Sequence, residues 1–444
     1  MLRRVTLTKL YRRAVMQNLI TPKPKTYNKM KTLKNFIFLL TTVLIIGCSA
    51  DKGKFLEIKG KVVNTDAKSI LLMKPNQDMR FDSLITIPVE NGMFYYKSKL
   101  KNPEAVDLML GGGEGRFIPL FLENEKIELT IFSEEEFNKN IVNGGNLNAQ
   151  YKKYKQDYEN TFNDKTKPLY DSISELFKND EYNSDKAKAL YTELGESKSQ
   201  DEKNVLYKKL DDLKKADQHL SPKAKILEDK LKPIYEEQKR FKQEFIENNP
   251  TIVSYYFLLQ ELIYYKDNVD VNLAKTNYQR LSKANPNHPY NELALDLINA
   301  IDNIKVGRKY IDFSAPDLNG NEIKLSNEID GKIAILDLWA TWCGPCIAKS
   351  RSMVPLYNEF KDKGFTIVGV AGEFENTDRL VKHLEKEKLP WLNLVELDRK
   401  NNIWQKYGVG NAGGRIFLIN KNGEILAINP TAEEVRRELE TRLN

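Results

Sequence analysis

The sequence predicts an α/β domain at the C-terminus, over residues 306–444, preceded by an antiparallel β domain over 55–145 and a helical region over 146–305. Three observations carry that division. Short apolar runs that alternate with polar residues fill the first stretch, which is the period of half-buried strands. Tyrosines and leucines repeat three or four apart through the second, which is the period of helices. In the third, an apolar run from Ile333 to Leu336 continues through Asp337, Leu338 and Trp339 into a turn and then a helical stretch from Ile347 to about Lys361.

The chain opens differently. Residues 1–47 contain ten Lys or Arg and no Asp or Glu. A basic stretch from Met30 to Asn35 precedes an apolar run from Phe36 to Ile46, which is the pattern of a signal peptide and is short for a membrane span. The run ends Leu44-Ile45-Ile46-Gly47-Cys48, which resembles a bacterial lipobox. That resemblance implies cleavage before Cys48, lipid on its thiol, a start at Met30 and a polar tether over 48–54. The whole chain carries 69 basic and 62 acidic residues; without the ten leader cations the balance is 59 to 62, so the basic pI is no argument for nucleic-acid binding.

From Phe55 to Asn143 the strand candidates are Leu56–Val63, Ser69–Met73, Ile85–Val89, Met93–Tyr96, Phe117–Leu122 and Ile127–Ile131. Asn91-Gly92 marks a tight hairpin between two of them. A small sandwich is expected. The run Gly111-Gly112-Gly113-Glu114-Gly115 lacks the Lys-Ser/Thr of a phosphate-binding loop and reads as a flexible connection. The region resembles the β domain of unknown function that precedes TlpA-like domains in Bacteroidetes lipoproteins.

Tyr151, Tyr154, Tyr158 and Phe162 fall at helical spacing, as do Leu206, Leu210 and Leu213. The alternating charges of 180–235 describe a solvated helix face. Asn249-Pro250 and Asn285-Pro286 break the helices. Tyr255, Tyr256, Phe257, Tyr264 and Tyr265 are expected in a core or domain interface, with peptide docking as the alternative.

Two of the three cysteines, Cys343 and Cys346, frame Cys-Gly-Pro-Cys. A zinc site would need two more ligands, yet Cys48 lies in the leader and His219, His288 and His383 show no ligand spacing. The pair therefore reads as a redox couple that calls for no metal and no cofactor. Cys343 falls at a helix N-terminus, where free N–H groups and the helix dipole favour the thiolate. Cys346, one turn inside, is expected to be less exposed and to resolve the mixed disulfide.

The stretches Tyr310–Leu318, Leu325-Ser326, Gly331-Lys332, Asp337–Cys346, Gly364–Val370, Leu389-Pro390-Trp391, Tyr407-Gly408-Val409 and Phe417–Ile425 together resemble the thioredoxin fold, and within it the periplasmic thiol-disulfide oxidoreductases of the TlpA/ResA type. The resemblance implies a reductant of protein disulfides, with Trp342, Gly344 and Pro345 around the sulfurs and Asp337 as the proton acceptor for Cys346. Family roles include keeping apocytochrome c thiols reduced, which needs a membrane electron donor. Two departures stand out. Gly414 occupies the place of the family's cis-proline, so a trans, mobile loop is expected, with Gly414→Pro altering turnover more than stability. Arg351 replaces a helix proline, and Pro355 follows one turn later. Two other readings compete: a peroxiredoxin, whose Pro-x-x-x-Thr/Ser-x-x-Cys pattern Ala340-Thr341-Trp342-Cys343 lacks, and a surface ligand-binding lipoprotein with an incidental redox domain.

Overall fold

The computed structural model describes residues 54–443 apart from 80–81, 113–115, 198–199, 266–267 and 411–412. The leader, Cys48, its tether up to residue 53 and the centre of the glycine-rich loop lie outside the described residues. The chain divides into two compact units, one of residues 54–73, 85–184 and 220–239, the other of 74–84, 185–219 and 240–444. No helix among the described residues is long and apolar enough to cross a membrane.

The first unit is built on eight strands: β1 (Leu56–Val63), β2 (Ser69–Met73), β3 (Ile85–Glu90), β4 (Met93–Ser98), β5 (Glu104–Leu110), β6 (Ile118–Leu122), β7 (Lys126–Phe132) and β8 (Ile141–Asn143). They form one ladder in the order β6-β5-β2-β3-β4-β1-β7-β8 rather than two separate sheets. Every pairing is antiparallel except β1 with β7. That parallel pair sets Ile58 opposite Ile127 and Val62 opposite Ile131, so both apolar sets share one face. Asn91 and Gly92 turn β3 into β4 with φ of 50° and 74°, the left-handed values that such a two-residue hairpin requires.

Helix α1 (Asn146–Lys178) begins against this sheet. Its buried Asn148 accepts the Phe121 N–H at 2.9 Å and donates to the Phe121 carbonyl at 2.7 Å, replacing a strand partner for β6. Further along, Tyr170, Ile173 and Leu176 pack with Tyr182, Ala224 and Leu231. Helices α2 (Asp185–Glu196), α3 (Gln200–Lys215) and α4 (Pro222–Asn248) follow.

The second unit holds α5 (Ile252–Tyr264), α6 (Val271–Ala284) and α7 (Tyr290–Asn303); the predicted breaks follow the ends of α4 at Asn248 and α6 at Ala284. Tyr255 and Tyr256 are buried, but Tyr264 and Tyr265 are exposed at the C-terminal end of α5, so the aromatic group is not one core cluster. The α/β domain starts with the hairpin β9 (Ser314–Pro316) and β10 (Glu322–Lys324), then α8 (Leu325–Ile329). Its sheet has five strands in the order β13-β12-β11-β14-β15: β11 (Ile333–Trp339), β12 (Phe365–Glu373), β13 (Leu392–Leu397), β14 (Arg415–Ile419) and β15 (Ile425–Ile428). Helices α9 (Gly344–Phe360), α10 (Asp378–Glu387), α11 (Ile403–Lys406) and α12 (Ala432–Leu443) complete it. Strand β11 is central, parallel to β12 and antiparallel to β14, and buried along its whole length, which explains its apolar run.

Candidate functional site

The buried strand β11 delivers the chain to the two cysteines, and α9 leads it away. The helix starts at Gly344, one turn earlier than Ile347, because Pro345 is pre-set for a first helical turn and lacks only an N–H that would find no partner there. Cys343 is therefore the N-cap, and its Sγ accepts the Cys346 N–H at 3.3 Å. The two sulfurs form a disulfide with Cα atoms 5.3 Å apart. Gly344 and Pro345 are exposed between them. The helix continues through Pro355, and Arg351 projects from it into an ion pair with Glu387.

The expectation that Cys346 is the less exposed cysteine does not hold: Cys343 is 6% exposed and Cys346 9%. Both are covered by the loop before β14. A Cβ on Gly413 would lie 3.5 Å from Cys343 Sγ, and the Gly414 N–H donates to Cys346 Sγ at 3.1 Å. No peptide among the described residues is cis. At Gly414 a Cβ would stand 1.8 Å from the Leu338 carbonyl oxygen and 3.0 Å from Cys346 Sγ. Glycine is needed because the backbone passes directly over β11. This reverses the expectation for Gly414→Pro, which would lose a donor to sulfur and collide with the central strand.

Asp337 is 2% exposed, in the middle of β11. Burial pushes its carboxyl up to about 7, although the Ser350 hydroxyl and the Lys349 charge both pull it down. Ser350 Oγ lies 2.6 Å from Asp337 Oδ2 and 3.1 Å from the Cys346 carbonyl oxygen. One hydroxyl proton cannot serve both acceptors at once. With Asp337 ionised it faces the carboxylate; with Asp337 protonated the carboxyl can donate to Oγ and the hydroxyl turns to the Cys346 carbonyl. Lys349 donates to the Asn429 carbonyl at 3.0 Å, and burial lowers its own pKa.

Two supports, Glu373 and Ser350, escaped the sequence reading. Glu373, 4% exposed at the end of β12, accepts the Thr341 N–H at 2.7 Å and the Thr341 hydroxyl at 2.8 Å, fixing the turn into the cysteines. Its signal was an acid closing the apolar strand run Phe365–Gly372, the same kind of signal that singled out Asp337. Trp342, half-buried, donates through Nε1 to the Gly372 carbonyl at 3.0 Å. Ser350 carried no signal beyond lying one turn after Cys346.

Comparison with known proteins agrees with this geometry. The AhpC/TSA family matches residues 306–428, and a domain of unknown function, DUF4369, matches residues 56–151. Thiol-disulfide oxidoreductase ResA of Bacillus thuringiensis (strain Al Hakam) is 31% identical over 140 residues, which cover 31% of this chain and 76% of that protein. ResA of Geobacillus kaustophilus is 34% identical over 143 residues, covering 31% of this chain and 78% of the relative. The chain belongs to the ResA-like thiol-disulfide oxidoreductases. Among solved structures, the thioredoxin domain of a thiol-disulfide oxidoreductase from Bacteroides vulgatus is 27% identical, with a TM-score of 0.29, covering 32% of this chain and 99% of that one. The family match and the ResA relatives give the C-terminal domain the thioredoxin fold and disulfide chemistry. In this ResA-like domain the predicted residues Cys343, Cys346, Trp342, Gly344, Pro345 and Gly414 meet at one end of β11, and Asp337 lies beneath them in the strand. Cys48 lies outside the described residues.

Proposed function

We propose that the protein is a lipid-anchored, extracytoplasmic reductant of protein disulfides. Cys343 thiolate attacks a substrate disulfide, forming a mixed disulfide and expelling one substrate thiolate. Cys346 gives its proton toward the Asp337–Ser350 pair and attacks Cys343 Sγ, expelling the second substrate thiolate. Two electrons pass to the substrate, and the Cys343–Cys346 disulfide is left for a membrane dithiol donor to reduce. The observation that carries this reading is the N-cap geometry, in which the Cys346 N–H points at Cys343 Sγ. The same N–H stabilises a thiolate there, as do the unpaired donors of the first turn of α9. The carboxyl raised to about 7 supports a proton acceptor working near neutrality. The lipobox at Cys48 and the leader support the anchor and the location outside the cytoplasm.

Insulin reduction by dithiothreitol tests the catalysis, with peroxide consumption assayed in parallel. Catalysed insulin precipitation without peroxide turnover is expected; the opposite pattern would favour a peroxidase. Intact mass of membrane-extracted protein tests the anchor. A species that retains residues before Cys48 and carries no lipid mass would remove it.

A further inference from the structure

A cleft open to solvent is lined in part by Trp342. Helices α5 and α7 give it an apolar wall through Leu262, Leu297 and Ile301. Trp342, Phe374 and Trp404 of the redox domain also line it, with the Trp342 ring 5.9 Å from Trp404 and 6.4 Å from Phe374. The two carboxylates in the lining are already engaged. Glu396 accepts the N–H groups of Ile403 and Trp404, and Glu373 holds Thr341. Two donors in the lining are not engaged: Trp404 Nε1 and Arg399 Nη2 are buried with no hydrogen-bond partner. The other end of the Arg399 fork is held, with Nη1 3.2 Å from Asp82 and the guanidinium 5.4 Å from the Phe374 ring centre. Leaving a buried donor without an acceptor is unfavourable. The cleft therefore combines apolar walls with unmet demand for acceptor oxygens.

Apolar walls with a few convergent polar groups are the usual make-up of a ligand site. Trp342 both lines the cleft and precedes Cys343 in the chain, which joins the cleft to the redox turn. We propose that the cleft binds the polypeptide flanking the substrate disulfide. An apolar side chain packs between Leu297, Ile301 and the tryptophans, and carbonyl or terminal carboxylate oxygens take the protons of Trp404 Nε1 and Arg399 Nη2. The helical region is then part of substrate recognition. This inference rests on the disulfide-reductase reading and adds the substrate's chemistry to it.

The full chain is assayed with three disulfides: a peptide with leucine and phenylalanine beside its cysteine, one with glycine and serine there, and the small uncharged disulfide bis(2-hydroxyethyl) disulfide. Wild type should prefer the apolar peptide. Trp404→Phe keeps an aromatic ring but loses the donor, and Leu297→Lys charges the apolar wall. Each should lower the kcat/KM ratio of apolar peptide to small disulfide about tenfold, the scale of one lost contact in a recognition site. Amidated and free C-termini of the apolar peptide separate a carbonyl from a carboxylate as the bound acceptor. Anisotropy of the labelled apolar peptide with its cysteine alkylated reads the cleft without any redox step. Peptide binding without reduction of any disulfide would sink the reductase reading and leave the cleft standing. Turnover of all three disulfides, with an unchanged ratio in both variants and no peptide binding, would overturn the cleft and leave the reductase.

Discussion

Ser350 places its hydroxyl 2.6 Å from Asp337 Oδ2, one helical turn after Cys346, and so couples a buried carboxyl on β11 to the backbone of the resolving cysteine. Its donation favours the ionised carboxylate, against the burial that raises the group to about 7. Ser350→Ala removes that donor. The pKa of Asp337 should rise, and the pH midpoint of the resolving step should move up by about one unit, the scale of one hydrogen bond to a charged group. Stopped-flow release of substrate from the mixed disulfide between pH 5 and 9 measures it. A midpoint that stays in place, or moves down, would separate Ser350 from the proton path.

Asp337→Asn has two expected signatures. In kinetics, resolution slows at neutral pH, while alkylation of Cys343 in the reduced protein changes little. The deficit shrinks at high pH, where Cys346 ionises unaided. Equal slowing at every pH argues against proton transfer. In stability, the sign follows from a folded-state pKa above the ordinary aspartate value of 3.8. Between about pH 4 and 7 the folded chain holds a proton that the unfolded chain has released, so stability falls as pH rises through that window. Asn carries no charge to desolvate. The variant should match wild type below pH 4 and exceed it above pH 7 by an amount on the order of 4 kcal/mol. Urea midpoints of the oxidised proteins at pH 4 and 8 check this.

Gly414 should tolerate no side chain. A Cβ there meets the Leu338 carbonyl at 1.8 Å, a backbone atom of the central strand that cannot move aside cheaply. Gly414→Ala should cost at least about 2 kcal/mol in denaturant unfolding. Gly414→Pro should cost more, because it also loses the N–H that reaches Cys346 Sγ. Near-wild-type stability of the alanine variant would show that this loop can shift away from β11.

What was legible in the sequence was local. Strand β11 shows as seven residues of which six are apolar, and the lone acid among them is the one whose burial raises its pKa. The hairpin at Asn91-Gly92 follows from two residues that accept positive φ. Non-local pairing was not legible. Nothing within β1 or β7 announces that they run parallel, because the register depends on apolar sets about 70 residues apart. In the sequence Gly414 stands where the family has proline, but the reason for glycine is a contact with Leu338, which no local pattern contains. Trp404 and Arg399 share no local pattern in the sequence. Their shared cleft exists only once α5 and α7 are placed against the redox domain.

The order of attack gives the sharpest test of the chemistry. The two cysteines are buried to a similar extent, so exposure does not rank them. Position in the helix does. Cys343 is the N-cap and accepts the Cys346 N–H, whereas Cys346 sits within the first turn and receives the Gly414 N–H. The first-turn donors and the dipole of α9 converge on the cap, so Cys343 should have the lower pKa and react first with iodoacetamide. Cys346→Ser should then accumulate mixed disulfides with protein substrates, while Cys343→Ser should form few. Neither variant should catalyse insulin reduction, since a full cycle transfers two electrons through both sulfurs. Faster alkylation of Cys346, or full activity of Cys343→Ser, would mean that the Gly414 donor outweighs the helix terminus and that the roles of the two sulfurs are exchanged.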